Sequence, residues 1–212
     1  MADELVIVGV GPGNQDYITG EALKEIRQAE IVIGNQRFLD IYTEPDQDTF
    51  KLSGDLESLR LVLATWAGRK VVLLTSGDPG FFSIMEWVKR EFSGLKLKII
   101  PGISSVQLAF ARAALSWHDC KFISLHGREM PDLFTEFRQN RKICFLTDRT
   151  NSPQQIIQRL KEAGVVDCWI FIGSQLGQPE EEIWQGNIRL FNNTFTDDSF
   201  SVVIIVNETV AC

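Results

Sequence analysis

Cysteine is scarce in this chain and histidine scarcer, four of one and two of the other. Cys120, Cys144, Cys168 and Cys212 never approach C-x-x-C spacing, which argues against a redox pair or a disulfide framework. They read as reduced, mostly buried thiols of a cytosolic protein. His118 stands two places from Cys120, but a zinc site wants paired ligands and no second pair exists, so no metal is expected. Positive charge is short as well. Lys and Arg number 21 against 28 Asp and Glu, a formal net charge of −7. That balance argues against nucleic acid as the main partner, because neutralising phosphates needs a basic footprint. It leaves room for a local basic pocket facing a carboxylated small molecule. No apolar run nears membrane-spanning length and no signal-peptide pattern opens the chain. No G-x-S-x-G elbow and no triad surround Ser104 and Ser105. A cytoplasmic protein without membrane or nucleic-acid partners is expected.

What is present is an alternation of apolar runs, small-residue loops and helical periodicity. The 212 residues, 44% hydrophobic and 23% charged, suit one large α/β domain or two small ones. Leu5-Val6-Ile7-Val8 reads as a buried parallel strand, and Gly9, Gly11 and Gly13 behind it force a tight turn whose bare main chain a ligand could approach. A helix follows from Thr19, with Ala22, Leu23, Ile26 and Ala29 on one face. This loop is not a dinucleotide fingerprint. Asn14 stands where the third glycine belongs, Pro12 removes an N–H from any phosphate cradle, and no acid ends the second strand, Ile31-Val32-Ile33. From this loop alone a structural turn and a binding loop fit equally.

The remaining elements follow in order. Residues 36–42 read as a helical turn and residues 43–53, polar with Pro45 inside, as a loop. Leu56, Leu59, Leu63 and Trp66 have helical spacing, with Asp55 as N-cap. Val71 to Leu74 reads as a second buried strand, ending in Ser76-Gly77-Asp78-Pro79-Gly80, then a helix through Ile84, Trp87 and Val88. A strand at 96–100 is closed by Pro101-Gly102, and Ser104 caps a helix that buries Val106, Ala109, Phe110, Ala113 and Ala114. Residues 115–121 are the expected junction between an N-terminal α/β domain (1–116) and a C-terminal one (117–212). The second half repeats the alternation with strands at 122–125 and 143–146 and a helix at Leu133, Phe134 and Phe137. Ser152-Pro153-Gln154-Gln155 forms a capping box before Ile156, Ile157 and Leu160, and Gly164 ends that helix. Three strands then follow with little helix between them, at 168–174, 181–184 and 200–206, which predicts a mixed, partly antiparallel sheet. Glu180-Glu181-Glu182 reads as the solvated start of one strand.

Three loops, Gly9 to Gly13, Ser76 to Gly80 and Pro101 to Ser105, would leave the carboxyl ends of parallel strands, where open α/β sheets bind ligands. Turn residues punctuate any α/β fold. Three such loops on one edge, with Asp78 able to accept from a hydroxyl or an amine, favour a site. In the second half, His126 beside Arg128 follows a strand; a ligand-facing and a surface position both fit it.

Together these pieces resemble the tetrapyrrole (corrin/porphyrin) methylase family along nearly the whole chain. The carrying motifs are Val8-Gly9-Val10-Gly11-Pro12-Gly13, Ser76-Gly77-Asp78-Pro79, Pro101-Gly102-Ile103-Ser104-Ser105, Ile123-Ser124-Leu125-His126-Gly127-Arg128 and Phe145-Leu146-Thr147-Asp148. The SLHGR stretch and the compact length are most similar to the branch that methylates C5 of a late corrin precursor of cobalamin. The resemblance implies two α/β domains, the first sheet mainly parallel and the second mixed, with S-adenosylmethionine bound in the cleft between them, and a homodimer. It implies that Pro12, Ser76, Gly77, Asp78, Phe81, Ser104, Ser105, Leu146 and Gly173 line the cofactor. The acidic corrin-type substrate then needs local positive charge from Arg37, Arg128 and Arg149, with His126 beside them as a candidate base. A separate decarboxylating methyltransferase would supply a second methylation. The alternatives are another methylase of this fold, acting on uroporphyrinogen or an earlier precorrin, and a non-enzymatic nucleotide-binding regulator.

Overall fold

Val, Ile and Leu fill the strands of the first half with little interruption, the composition of strands covered on both faces. A computed structural model describes residues 4–52, 56–66, 68–192, 195 and 201–209. The Asp55 cap and the thiol of Cys212 lie outside the described residues. The chain divides into two compact units, Met1–Ser104 and Ser105–Cys212.

The first unit runs β1 (Glu4–Gly9), α1 (Gly20–Arg27), β2 (Ile31–Gly34), α2 (Gln36–Tyr42), β3 (Asp48–Lys51), α3 (Leu56–Thr65), β4 (Val71–Thr75), α4 (Met85–Glu91) and β5 (Lys96–Ile100). Its strands pair parallel throughout, in the order β3-β2-β4-β1-β5. The period-two alternation of the strands sorts the core into two layers. Val6, Val8, Val32, Val72 and Leu74 meet Ala22 and Ile26 of α1 and Phe38 and Leu39 of α2. Leu5, Ile7, Ile31, Ile33, Val71 and Leu73 meet Leu59 and Leu63 of α3 and Val88 of α4 on the other face. Thr19 caps α1, its Oγ1 accepting the Ala22 N–H at 3.1 Å.

One element corrects the sequence reading. Residues 48–51 fall inside the expected loop but form β3, an edge strand paired to β2. An edge strand needs a neighbour on one side only, so Asp48, Thr49 and Lys51 stay exposed while Phe50 packs edge-on to Trp66 at 6.1 Å.

The second unit runs α5 (Ser105–Arg112), β6 (Cys120–Ser124), α6 (Leu133–Gln139), β7 (Lys142–Leu146), α7 (Pro153–Glu162), β8 (Trp169–Ser174), β9 (Glu182–Asn187) and β10 (Val202–Val206). The sheet is mixed, in the order β6-β7-β10-β8-β9: β6 and β7 are parallel and every other pair is antiparallel. Its larger core joins α6 and α7 to Ile143, Phe145, Ile170, Ile172, Val203 and Ile205. Helix α5 packs on β8 and β10 and groups with this unit, whereas the junction expected from sequence lay beyond it, at 115–121. Ala114, expected to face inward, is exposed and sits past the helix end at φ 53°. Ser152 caps α7 with Pro153 in its first turn, and Gly164 ends it at φ 85°.

Candidate functional site

Strands β4, β1 and β5 are adjacent and parallel, so the loops that follow them leave one edge of the first sheet side by side. They are clasped to one another by backbone. Gly77 donates its N–H to Gly11 O at 2.8 Å, and Gly11 donates back to Gly77 O at 3.4 Å. Both glycines hold positive φ, 64° and 66°, where a Cβ is strained. A Cβ on Gly9 would lie 2.5 Å from Gly77 O and 2.7 Å from Gly102 N; one on Gly102 would lie 2.2 Å from Gly77 O. The bare Cα of Gly9 therefore faces the neighbouring loops and not a ligand, which corrects the expectation from sequence. Gly11 and Gly13 are likewise closed over by Tyr17 and by Phe38 with Arg37.

Asp78 completes the clasp. Its Oδ1 accepts the Gly80 N–H at 2.8 Å and its Oδ2 the Gly102 N–H at 3.2 Å, so one carboxylate holds its own turn and the loop after β5. Each oxygen keeps a lone pair for a further donor. Pro12, Ser76, Gly77, Asp78 and Ser104 thus belong to one loop cluster, with Ser104 buried against Gly77. Phe81 follows on the same loop, its N–H given to Asp78 O at 3.2 Å and its ring edge-on to Phe82 at 4.8 Å. Arg37, at the start of α2, reaches this cluster too: its Nη2 donates to Pro12 O at 3.1 Å.

The other sequence-predicted residues belong to the second unit. Ser105 opens α5. Leu146 and Gly173 flank Val202 in a single row across β7, β10 and β8, with Ser124 of β6 beside Leu146. His126, Arg128 and Arg149 stand exposed in the two loops that leave the parallel pair β6 and β7. Asp148 ties those loops together: Oδ2 accepts the Gly127 N–H at 2.9 Å, and Oδ1 accepts the N–H groups of Thr150 and Asn151 at 2.9 and 2.7 Å. These backbone donors, Gly127 first, hold its carboxyl below the ordinary carboxylate value. Asn151, which sequence reasoning passed over, is buried and donates to Leu125 O and Arg128 O at 3.2 Å each. The Asp at a strand end three residues before an Asn was the local signal for it. Beside these loops lies an open cavity of about 560 Å³ lined by Arg128, Asp148, Asn151 and Arg159, among others. Glu181, expected in solvent, is instead mostly buried. It takes Arg112 Nε and Nη2 at 2.7 and 3.2 Å and the Gly177 N–H at 2.7 Å, fastening the loop after β8 to α5. Among the described residues no helix is long and apolar enough to cross a membrane, and no group of His, Cys, Asp and Glu could hold a metal ion.

The sequence profile of the tetrapyrrole (corrin/porphyrin) methylases matches residues 4–191. This chain belongs to that family. It is therefore a methylase, and the non-enzymatic regulator falls away. The cobalt-precorrin-7 C(5)-methyltransferase of Salmonella typhimurium is 30% identical over 204 residues, 96% of this chain and 99% of that one. The fold is shared with the precorrin-6Y methylase cbiE of Archaeoglobus fulgidus, with a TM-score of 0.76 at 22% identity over 98% of this chain and 100% of that one. It is shared too with the uroporphyrin-III C-methyl transferase of Thermus thermophilus complexed with S-adenyl homocysteine, with a TM-score of 0.72 at 20% identity, covering 96% and 97%.

Proposed function

We propose that this methylase transfers a methyl group from S-adenosylmethionine to C5 of a late corrin-ring precursor of cobalamin. The observation that carries the reading is the match to the Salmonella C(5)-methyltransferase over nearly all of both chains. The loop cluster after β1, β4 and β5 supports the donor. Within Gly9 to Gly13, Ser76 to Gly80 and Pro101 to Ser104, Asp78 is the sole charged residue. Small neutral groups around one carboxylate suit a nucleoside that carries a cationic sulfonium and an amine, and do not suit a polyphosphate. The S-adenyl homocysteine of the Thermus structure is the neutral thioether that such a donor becomes once its methyl group has left.

Bound there, S-adenosylmethionine supplies an electrophilic methyl group. In the first unit, Pro12, Ser76, Gly77, Asp78, Phe81 and Ser104 would hold it. Arg37, Arg128 and Arg149 pair with the carboxylates of the corrin, and His126 accepts the proton that the methylated carbon gives up. An enamine-like ring carbon needs little activation, so alignment of the two partners supplies most of the acceleration. No side chain acts as a nucleophile. The working enzyme is a cytoplasmic homodimer, and a separate decarboxylating methyltransferase carries out the neighbouring methylation.

Incubating the protein with methyl-labelled S-adenosylmethionine and a panel of defined tetrapyrroles tests the reading. Label is expected on C5 of a late corrin intermediate. Label on another carbon, or turnover with uroporphyrinogen alone, overturns it.

A further inference from the structure

We infer that Phe82 is a specificity-determining residue of this enzyme: its ring forms a wall against the apolar face of the tetrapyrrole. The inference rests on the tetrapyrrole reading above. Phe82 lies on the loop after β4, four residues beyond Asp78, and two features of it oppose stability. The residue stays 47% exposed, so much of the gain from burying an aromatic group is forgone. Its backbone stands at φ 49°, in the left-handed region that a side chain with a Cβ disfavours. Glycine would fit that backbone, and a polar residue would suit that exposure. A bulky aromatic residue satisfies neither demand. Strain of this kind persists where the surroundings enforce it, and it clusters at binding sites.

Neighbouring residues hold the loop in this shape. Phe81 meets the Phe82 ring edge-on at 4.8 Å, while Ser83, the next residue, anchors the loop to the end of β4 through Thr75, Oγ to Oγ1 at 2.8 Å. The loop is thus pinned on both sides of Phe82, and the ring is held rather than swept about. Unit 1 exposes two other large apolar side chains among the described residues, Ile41 and Leu61, and both lie on helices, not on the loops after β1, β4 and β5. Of these three, Phe82 is the one carried by the loop that also carries Ser76 and Asp78. The small polar residues of the cluster match a nucleoside; the ring matches a larger, flatter and more apolar partner, which in a methylase of this family is the macrocycle.

Phe82→Gly and Phe82→Ala separate this role from a structural one. Glycine removes the ring and relieves the backbone, whereas alanine removes the ring and keeps the strain. Both variants are expected to raise the KM for the tetrapyrrole roughly tenfold and to bind S-adenosylhomocysteine within about twofold of wild type. Phe82→Gly is expected to melt above Phe82→Ala, so that stability and KM move independently. Phe82→Tyr, which keeps the ring, is expected to restore the wild-type KM. A tetrapyrrole KM unchanged in the Gly and Ala variants, or a fall in S-adenosylhomocysteine affinity as large as the rise in KM, overturns the assignment while leaving the proposed function standing. A wild-type chain that methylates no tetrapyrrole of the panel overturns the function and this inference together.

Discussion

Placing one methyl group on Gly102 should open the loop cluster of the first unit. A Cβ there would stand 2.2 Å from Gly77 O and 2.6 Å from Gly9 O, where ordinary contact begins near 3.4 Å. Both obstacles are backbone, and both strands behind them are held by parallel neighbours, so neither can swing aside as a flexible side chain would. The loops must part by roughly 1 Å, an overpacking that costs about 1–3 kcal/mol. For a unit of this size, about 2 kcal/mol lowers Tm by roughly 10 °C. The same displacement moves Ser76 and Asp78 away from anything they hold, and a misplacement near 1 Å is worth ~100-fold in rate. Calorimetric titration with S-adenosylhomocysteine and a thermal melt read the two effects separately. Gly20→Ala is the control: it lies in the first turn of α1 with nothing within 4 Å of its added Cβ, and it should leave Tm unchanged or raise it slightly. A Gly102→Ala protein that melts within about 2 °C of wild type and binds S-adenosylhomocysteine as tightly would refute the clasp.

Further outcomes follow from the same geometry. Asp78→Asn keeps one acceptor and turns an amide NH2 toward a backbone N–H, so it should lose about 1–3 kcal/mol and weaken S-adenosylhomocysteine binding at least tenfold; unchanged binding argues that the carboxylate serves the loops alone. Arg128→Glu should raise the KM for a carboxylated corrin far more than that for S-adenosylmethionine, and equal effects would assign Arg128 a structural role. The Arg112 guanidinium, then the Gly177 N–H, hold Glu181 below the ordinary carboxylate value. A depressed folded-state pKa gives stability that is present above the unfolded value, about 4.3, and is lost as pH falls through the folded one. Melting curves from pH 7 to pH 3 should therefore show Glu181→Gln less stable at neutral pH, with the gap closing in acid; a constant gap across that range contradicts the ion pair. Burial pushes the thiols of Cys120 and Cys168 up to about 12 and raises that of Cys144 as well. Iodoacetamide at pH 8 should leave all three unmodified in the folded protein and label them in denaturant, as peptide mass mapping would show.

How much of this was legible in the sequence depends on how far apart the interacting groups are. The central strands of the first unit were readable because a strand covered on both faces announces itself in a window of five residues: Val71-Val72-Leu73-Leu74 needs no partner to be recognised. β3 was not, because Asp48-Thr49-Phe50-Lys51 becomes a strand through hydrogen bonds offered by β2, and its own composition describes only an exposed edge. The loop cluster was legible in position for the same local reason, since strand ends followed by Gly, Ser and Pro fix where turns fall. What occupies the bare face of each glycine was not. Gly9 and Gly102 are 93 residues apart in the chain, and only the strand order β4-β1-β5 brings one against the other. Glu181 shows the same limit for charge. Three consecutive glutamates look solvated to any local reading, yet the middle one is taken up by Arg112, 69 residues away. Local windows therefore report which residues stand at the sheet edge. The topology decides whether a small residue there is spent on a neighbouring loop, as at Gly9, or left for a ligand.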